Sequence, residues 1–381
     1  MERIYLDHAA TSPVHSEVVE RMIPFMTEIY GNPSSIHHYG RQSRHALDEA
    51  RHQIAASIGA KPTEVIFTGG GTEADNMAII GTAMANRRNG NHIITTAIEH
   101  HAVLHSCQYL VSKGFDVTYL PVDETGEISL LDLNKALTDD TILVSVMYGN
   151  NEVGAIQPIK EIGALLRNHP AYFHTDAVQA YGLIPIEVNE LAVDLLSVSA
   201  HKINGPKGTG FLYVKEGVNL APHVYGGEQE RKRRAGTENV AGIVGLQHAV
   251  ALSHQTLEDR STRYLNYKET MIKIFNKEGI SFLVNGNLKH SLPHVLNISF
   301  PSTNVESMLV NLDLAGIAAS SGSACTAGSI DPSHVLVAMF GNESERIQSS
   351  VRFSFGLGNT LEQIEKAAYE IAKIVKRLTE L

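Results

Sequence analysis

Cysteine is scarce in this 381-residue chain, which contains only Cys107 and Cys325. Two cysteines cannot make a disulfide framework, and the pattern fits a reducing cytoplasm. Long hydrophobic runs are missing as well. No apolar stretch reaches the roughly 20 residues that a bilayer-spanning helix needs. The opening MERIYLDHAATSP has no apolar signal region, so neither a membrane location nor secretion is expected. Positive charge is in deficit: 31 Lys and Arg stand against 41 Asp and Glu, a net charge of −10 with histidine neutral. Affinity for nucleic acid comes largely from neutralising phosphates, so a direct nucleic-acid binder is not expected. Low-complexity segments and fixed-period repeats are absent too, which sets aside solenoids and propellers.

What is present reads as globular, with 43% hydrophobic and 19% charged residues. The length exceeds what one hydrophobic core serves, so two domains are expected. Short β-branched runs bounded by Gly, Pro, Asn or Asp predict strands at 64–68, 92–96, 115–122, 141–147, 171–176, 194–200 and 208–214. Helical stretches lie between them at 72–88, 100–113, 129–138 and 158–168. That alternation predicts an α/β fold, a mostly parallel sheet with helices on both faces. After about residue 250 the texture changes. A long amphipathic stretch (237–278) leads into the strand-like SFLVNG and VLNISF, and a closing helix at 360–379 follows VRFSFG. The expected organisation is an N-terminal arm (1–15), a large domain (16–250) and a smaller α+β domain (251–381) that carries Cys325. The arm suits packing with either domain.

Ligands of open α/β sheets bind beyond the carboxyl ends of the strands. Four such places carry chemistry. In EVIFT-GGGTEADN, three glycines allow close backbone approach, and Thr72 stands where a helix begins, an anion site. The same residues serve equally as a tight turn capped by Thr72. In YFHTDAVQA, Asp176 ends an apolar strand, where a carboxylate is costly unless it meets a cation, although a strand-end Asp also forms turns. In SVSAHKINGPKG, Lys202 follows a buried-looking strand, and an amine taken out of water there suits Schiff-base formation. Alone, it reads as a surface lysine. Together the three fit pyridoxal 5'-phosphate, which needs an anion site, a carboxylate for its ring nitrogen and a lysine. The fourth place is Cys325 in ASSGSACTAGS, whose small neighbours predict a loop rather than core and a nucleophilic thiol. Cys107, in the helix-like VLHSCQYL, reads as a buried structural thiol.

With these residues in view, the chain resembles the cysteine desulfurases of the first group, within the class V aminotransferases. The resemblance runs in order through YLDHAATSP, GNPSSIHHYGR, FTGGGTEADN, EHHAV, NNEVG, HTDAVQ, SAHKINGPKG, RRAGTEN, SGSAC and VRFSFG, essentially the whole chain. It implies the fold type I architecture of pyridoxal-phosphate transferases, with L-cysteine as substrate. It further implies that Lys202 holds the cofactor, Asp176 pairs with the pyridine nitrogen, and His100 stacks on the ring and serves in proton transfer. Gln179 would bond the phenolic oxygen, and Asn151 would lie beside ring and substrate. Gly71, Thr72, Ser199 and His201 would bind the phosphate, with Thr237 reaching the phosphate of a second subunit in a homodimer. Arg352 would grip the substrate carboxylate. Cys325 would take the sulfur as a persulfide, leaving L-alanine, and hand it to an acceptor protein for tRNA thiolation or iron–sulfur cluster assembly.

Other readings are weaker. The run Arg231–Arg234 suits a solvated loop or an interface near the site better than nucleic acid, given the acidic whole. His101 and His105 lack the carboxylate or cysteine partners of a metal site, so no metal is expected. The alternative enzyme class is another pyridoxal-phosphate lyase or aminotransferase with an incidental cysteine. A non-enzymatic persulfide carrier is a further alternative.

Overall fold

The computed structural model describes residues 3–321 and 332–379. Its strands in chain order are β1 (Ile4–Tyr5), β2 (Val65–Thr68), β3 (His92–Thr96), β4 (Asp116–Leu120), β5 (Thr141–Ser145), β6 (Tyr172–Asp176), β7 (Leu195–Ser199) and β8 (Gly210–Val214). They continue with β9 (Leu283–Asn285), β10 (Val295–Ser299), β11 (Ile317–Ala318) and β12 (Ser350–Ser354). Seven strands form one sheet in the order β2-β8-β7-β6-β5-β3-β4. Its neighbours run parallel except β8, which is antiparallel to both β2 and β7. β5, β7 and β8 are buried along their whole length, which explains their unbroken apolar and β-branched sequences. β4, at an edge, is mostly exposed.

A second sheet, β12-β10-β9, is antiparallel and carries its own core of Met271, Phe275, Ile298, Phe353 and Ile371. Ile4 and Leu6 of the arm belong to that core, and β1 pairs with β11 in parallel. Beyond β1 the arm turns toward the large sheet, where Ser12 Oγ donates to the His201 carbonyl at 2.7 Å. The arm thus packs with both halves.

The stretch 237–278 is two helices, not one. Thr256 leaves helical geometry (φ −111°, ψ 10°) between Val240–Gln255 and Leu257–Glu278. The cause is a change of partner: the first helix packs on Ser16–Thr27 and His38–Ala56, the second on Leu361–Thr379. The helical run expected at 72–88 spans 71–86 and contains a wider π turn at Met77–Gly81. No helix among the described residues is long and apolar enough to cross a membrane.

Candidate active site

A cavity of about 470 Å³ opens at the carboxyl ends of β2, β6 and β7, a size that suits a small cofactor. Its walls include Gly71, Thr72, His100, Asn151, Asp176, Gln179, Ser199, His201, Lys202 and Arg352. These ten come from six separate stretches of sequence. Thr237 is exposed and does not line this cavity. Cys325 lies outside the described residues.

At one end, backbone takes the place of side chains. Gly70 has φ +141°, a conformation open to glycine. A Cβ on Gly71 would stand 2.7 Å from Val178 Cγ2, so only hydrogen fits. The helix starting at Gly71 presents its first N–H groups here, facing Ser199 and His201. Burial lowers the His201 imidazole to about 4, and its Nδ1 bonds Thr11 Oγ1 at 3.1 Å. Glu73 accepts from Gly69 N at 2.7 Å and pairs with Arg234 at 2.7 Å. The basic run therefore contributes one arginine that braces the glycine turn, a contact that single-residue reading does not reveal.

The floor is acidic. Asp176 is 5% exposed and accepts from Val178 N at 2.8 Å; burial raises its carboxyl to about 6. Asp75, also in the wall, is pushed well up by burial and by the Asp176 charge, and its Oδ1 lies 3.6 Å from His174 Nε2. Asp75 was not expected from the sequence. Its signal was the i,i+4 spacing from Gly71, which puts both on one helix face. Two carboxyls this deep are costly without a cation, so the floor suits a protonated ring nitrogen.

Lys202 sits in the turn Ala200–Lys202 after β7, and its Nζ donates to the carbonyls of Ala9 at 2.5 Å and Ala10 at 2.7 Å. Gln179 Nε2 donates to the same Ala9 carbonyl at 3.0 Å. His100 caps the helix His101–Ser112, with Nδ1 accepting from Ala102 N at 3.1 Å. Burial, then the Lys202 charge, lowers its imidazole to about 4, so the ring is neutral with its hydrogen on Nε2. Arg352 enters from the middle of β12 and is 3% exposed. Its Nη2 meets Asp7 Oδ1 at 2.8 Å and its Nη1 the Asn151 carbonyl at 3.0 Å, while Nε is buried without a partner among the described residues. A held guanidinium with an unsatisfied donor is built for a planar anion. Cys107 is fully buried, and burial raises its thiol to about 12, which leaves it inert.

Residues 4–367 match the aminotransferase class-V family. A Bacillus subtilis (strain 168) relative is 62% identical over 379 residues and spans 100% of both chains. The cysteine desulfurase IscS of Methanosarcina thermophila is 50% identical over 375 residues, 98% of this chain and 92% of its own. A solved NifS-like protein superposes with a TM-score of 0.91 at 37% identity, covering 100% of both chains.

Proposed function

The chain belongs to the aminotransferase class-V family and is a cysteine desulfurase, and on that premise we propose how its residues divide the work. The observation that carries the proposal is one cavity joining Lys202, the buried Asp176 and the under-satisfied Arg352. Pyridoxal 5'-phosphate fits that cavity. The glycine turn leaves room for a phosphate where a Cβ would not fit, and the acidic floor suits the ring nitrogen. Lys202 would hold the aldehyde carbon, Gly71, Thr72, Ser199 and His201 the phosphate, Asp176 the ring nitrogen and Gln179 the phenolic oxygen. Bound there, the cofactor supplies an electrophilic carbon for the substrate amine and a conjugated ring that takes up the electron pair of a departing Cα proton.

The chain's own residues do the rest. Arg352 grips the L-cysteine carboxylate and so fixes which face of Cα points to Lys202. Released from its carbonyl partners, the Lys202 amine carries the Cα proton. Neutral His100 packs on the ring and serves in proton transfer, with Asn151 beside ring and substrate. The thiolate of Cys325 attacks the substrate sulfur. An S–S bond forms as the Cβ–S bond breaks, the electron pair left on Cβ takes a proton, and return of a proton to Cα from the Lys202 ammonium gives L-alanine. The persulfide on Cys325 then passes to an acceptor protein, for tRNA thiolation or iron–sulfur cluster assembly in the cytoplasm. A homodimer completes the site through Thr237 of each chain. The apolar residues Val19, Ile23, Met26, Tyr30 and Ile36, all exposed within one short N-terminal stretch, support such a face.

The test assays alanine and protein-bound persulfide together after cysteine addition. Cys325→Ser is expected to keep cofactor binding and lose both products, and Cys107→Ser to keep both. Persulfide persisting in Cys325→Ser would move the nucleophile elsewhere.

A further inference from the structure

A second cavity, about 20 Å³, shares Lys202 as a wall with the larger one. Polar atoms without partners gather around it. His8, His294 and Arg260 all line it. Among the described residues, both ring nitrogens of His8, Nδ1 of His294 and Nε of Arg260 lack a well-formed hydrogen bond, although the Tyr5 backbone stands close enough to act on the His8 ring. His8 and His294 are each only 5% exposed. Four such orphans at one place would carry a heavy desolvation cost, since each unsatisfied buried group is worth about 1–3 kcal/mol. A space of this size holds a single water, which needs two to four polar partners.

The neighbouring bonds fix which atoms donate. Gln179 Oε1 lies 3.1 Å from His294 Nε2, and Gln179 Nε2 donates to the Ala9 carbonyl at 3.0 Å. Turning the amide over would press its oxygen against the Ala9 carbonyl, two acceptors face to face. The amide orientation is therefore set, and His294 carries its hydrogen on Nε2. Nδ1 of His294 is then a bare acceptor in need of a donor. Both rings are neutral: burial lowers His8 to about 4 and His294 well below the usual histidine range. The arginine's other contacts, to the Gly182 and Ser253 carbonyls, leave its Nε–H for the cavity. One water accepting from Arg260 Nε–H, donating to His294 Nδ1 and bonding one ring nitrogen of His8 would satisfy three of the four atoms.

We propose that this cavity binds one water, and that His294, oriented by it, is a positioning residue for Gln179. The ring holds the amide oxygen, so the second Nε2–H of Gln179 stays directed to the active-site cavity. Its part in tuning the phenolic oxygen rests on the pyridoxal-phosphate reading above; the hydrogen-bond relay does not.

The experiment has two arms. In cofactor-free protein, ¹⁵N NMR of the histidine rings is expected to show His294 as the Nε2–H tautomer with a hydrogen-bonded Nδ1. An Nδ1–H tautomer or a doubly protonated ring overturns the relay. A high-resolution crystal structure of the same protein is expected to show one ordered water there, and an empty cavity overturns the water site. In the cofactor-loaded protein, His294→Leu is expected to move the pH midpoint of the visible absorbance by about half a unit or more, a roughly threefold change in the protonation equilibrium. His294→Gln, which keeps a donor at the Nε2 position, is expected to restore it. An unchanged midpoint in a folded Leu variant, or equal shifts in both, overturns the positioning role. Wild-type protein that gains no visible band with pyridoxal 5'-phosphate would fail the cofactor reading, while the NMR arm still decides the relay.

Discussion

Lys202 and Arg352 reach one cavity from different sheets, Lys202 just after β7 and Arg352 within β12, and each is held by contacts that a substrate complex must exchange. Lys202→Ala is expected to abolish both turnover and the visible band of the protein-linked cofactor. Borohydride trapping followed by peptide mass spectrometry checks this, and a label on Lys207, which also lines the cavity, would reassign the amine. Arg352→Lys is expected to raise KM for cysteine roughly a hundredfold, with a smaller effect on kcat. An ammonium carries its donors on one nitrogen and cannot offer a carboxylate the planar two-pronged edge of a guanidinium while keeping Asp7 and the Asn151 carbonyl, and losing a charge-assisted pair costs about 2–3 kcal/mol. A KM within threefold of wild type would remove Arg352 from substrate binding. At this scale the sequence displays residues whose type is itself unusual in place, such as an aspartate ending an apolar strand. It hides those whose meaning lies in a neighbour distant along the chain. Asp7, Asp75 and the backbone of Ala9 and Ala10 belong to the site only because the arm and one helix face converge there.

Elements show the same divide. The seven strands of the main sheet are legible to within three residues at either end, because burial on both faces demands short β-branched runs in all but the edge strand β4, which its own alternation and bounding residues mark. The helices Ser16–Thr27 and His38–Ala56 escape that reading. Exposed apolar residues such as Ile23, Met26 and Tyr39 blur the periodicity that would mark their inner faces. The short turn after β8 is equally illegible. Glu230, Arg231 and Lys232 all take positive φ (46°, 57° and 67°), although none is glycine. Such strain persists only when something holds it. Here Glu230 is buried in a two-pronged pair with Arg51, at 2.7 and 2.6 Å, and accepts from Phe67 N at 3.1 Å. Glu230→Ala, which strands a buried guanidinium, is expected to destabilise the protein by about 3–5 kcal/mol. Urea unfolding measures it, and a loss below about 1 kcal/mol would show that the turn is held by other contacts.

Across the whole molecule, buried titratable groups oppose each other as pH changes. Glu99 is fully buried, and burial raises its carboxyl from 4.5 to about 8. Between those values the folded chain binds a proton that the unfolded chain has lost. Its contribution to stability is therefore complete below about 4.5 and disappears as pH rises through about 8. His8, His100 and His174, lowered from 6.5 to about 4, 4 and 3, act the other way: their contribution is complete above 6.5 and lost as pH falls through those values. Glu99→Gln is expected to flatten the fall in stability between pH 6 and pH 8, read as urea midpoints of cofactor-free protein at each pH. Parallel losses in variant and wild type would show that Glu99 is already ionised at pH 6. The arm has a consequence in time. β1 pairs with β11, about 300 residues later in the chain, Leu6 bonds to Ala318 and Ser354, and Asp7 holds Arg352. A ribosome delivers the arm before these partners. Until β11 and β12 emerge, Ile4 and Leu6 lack the partners that bury them, and a chain stalled before β12 carries Lys202 and Asp176 without the Arg352 guanidinium. A chain that has not yet made β12 thus has the Lys202 wall of the cavity without its Arg352 wall.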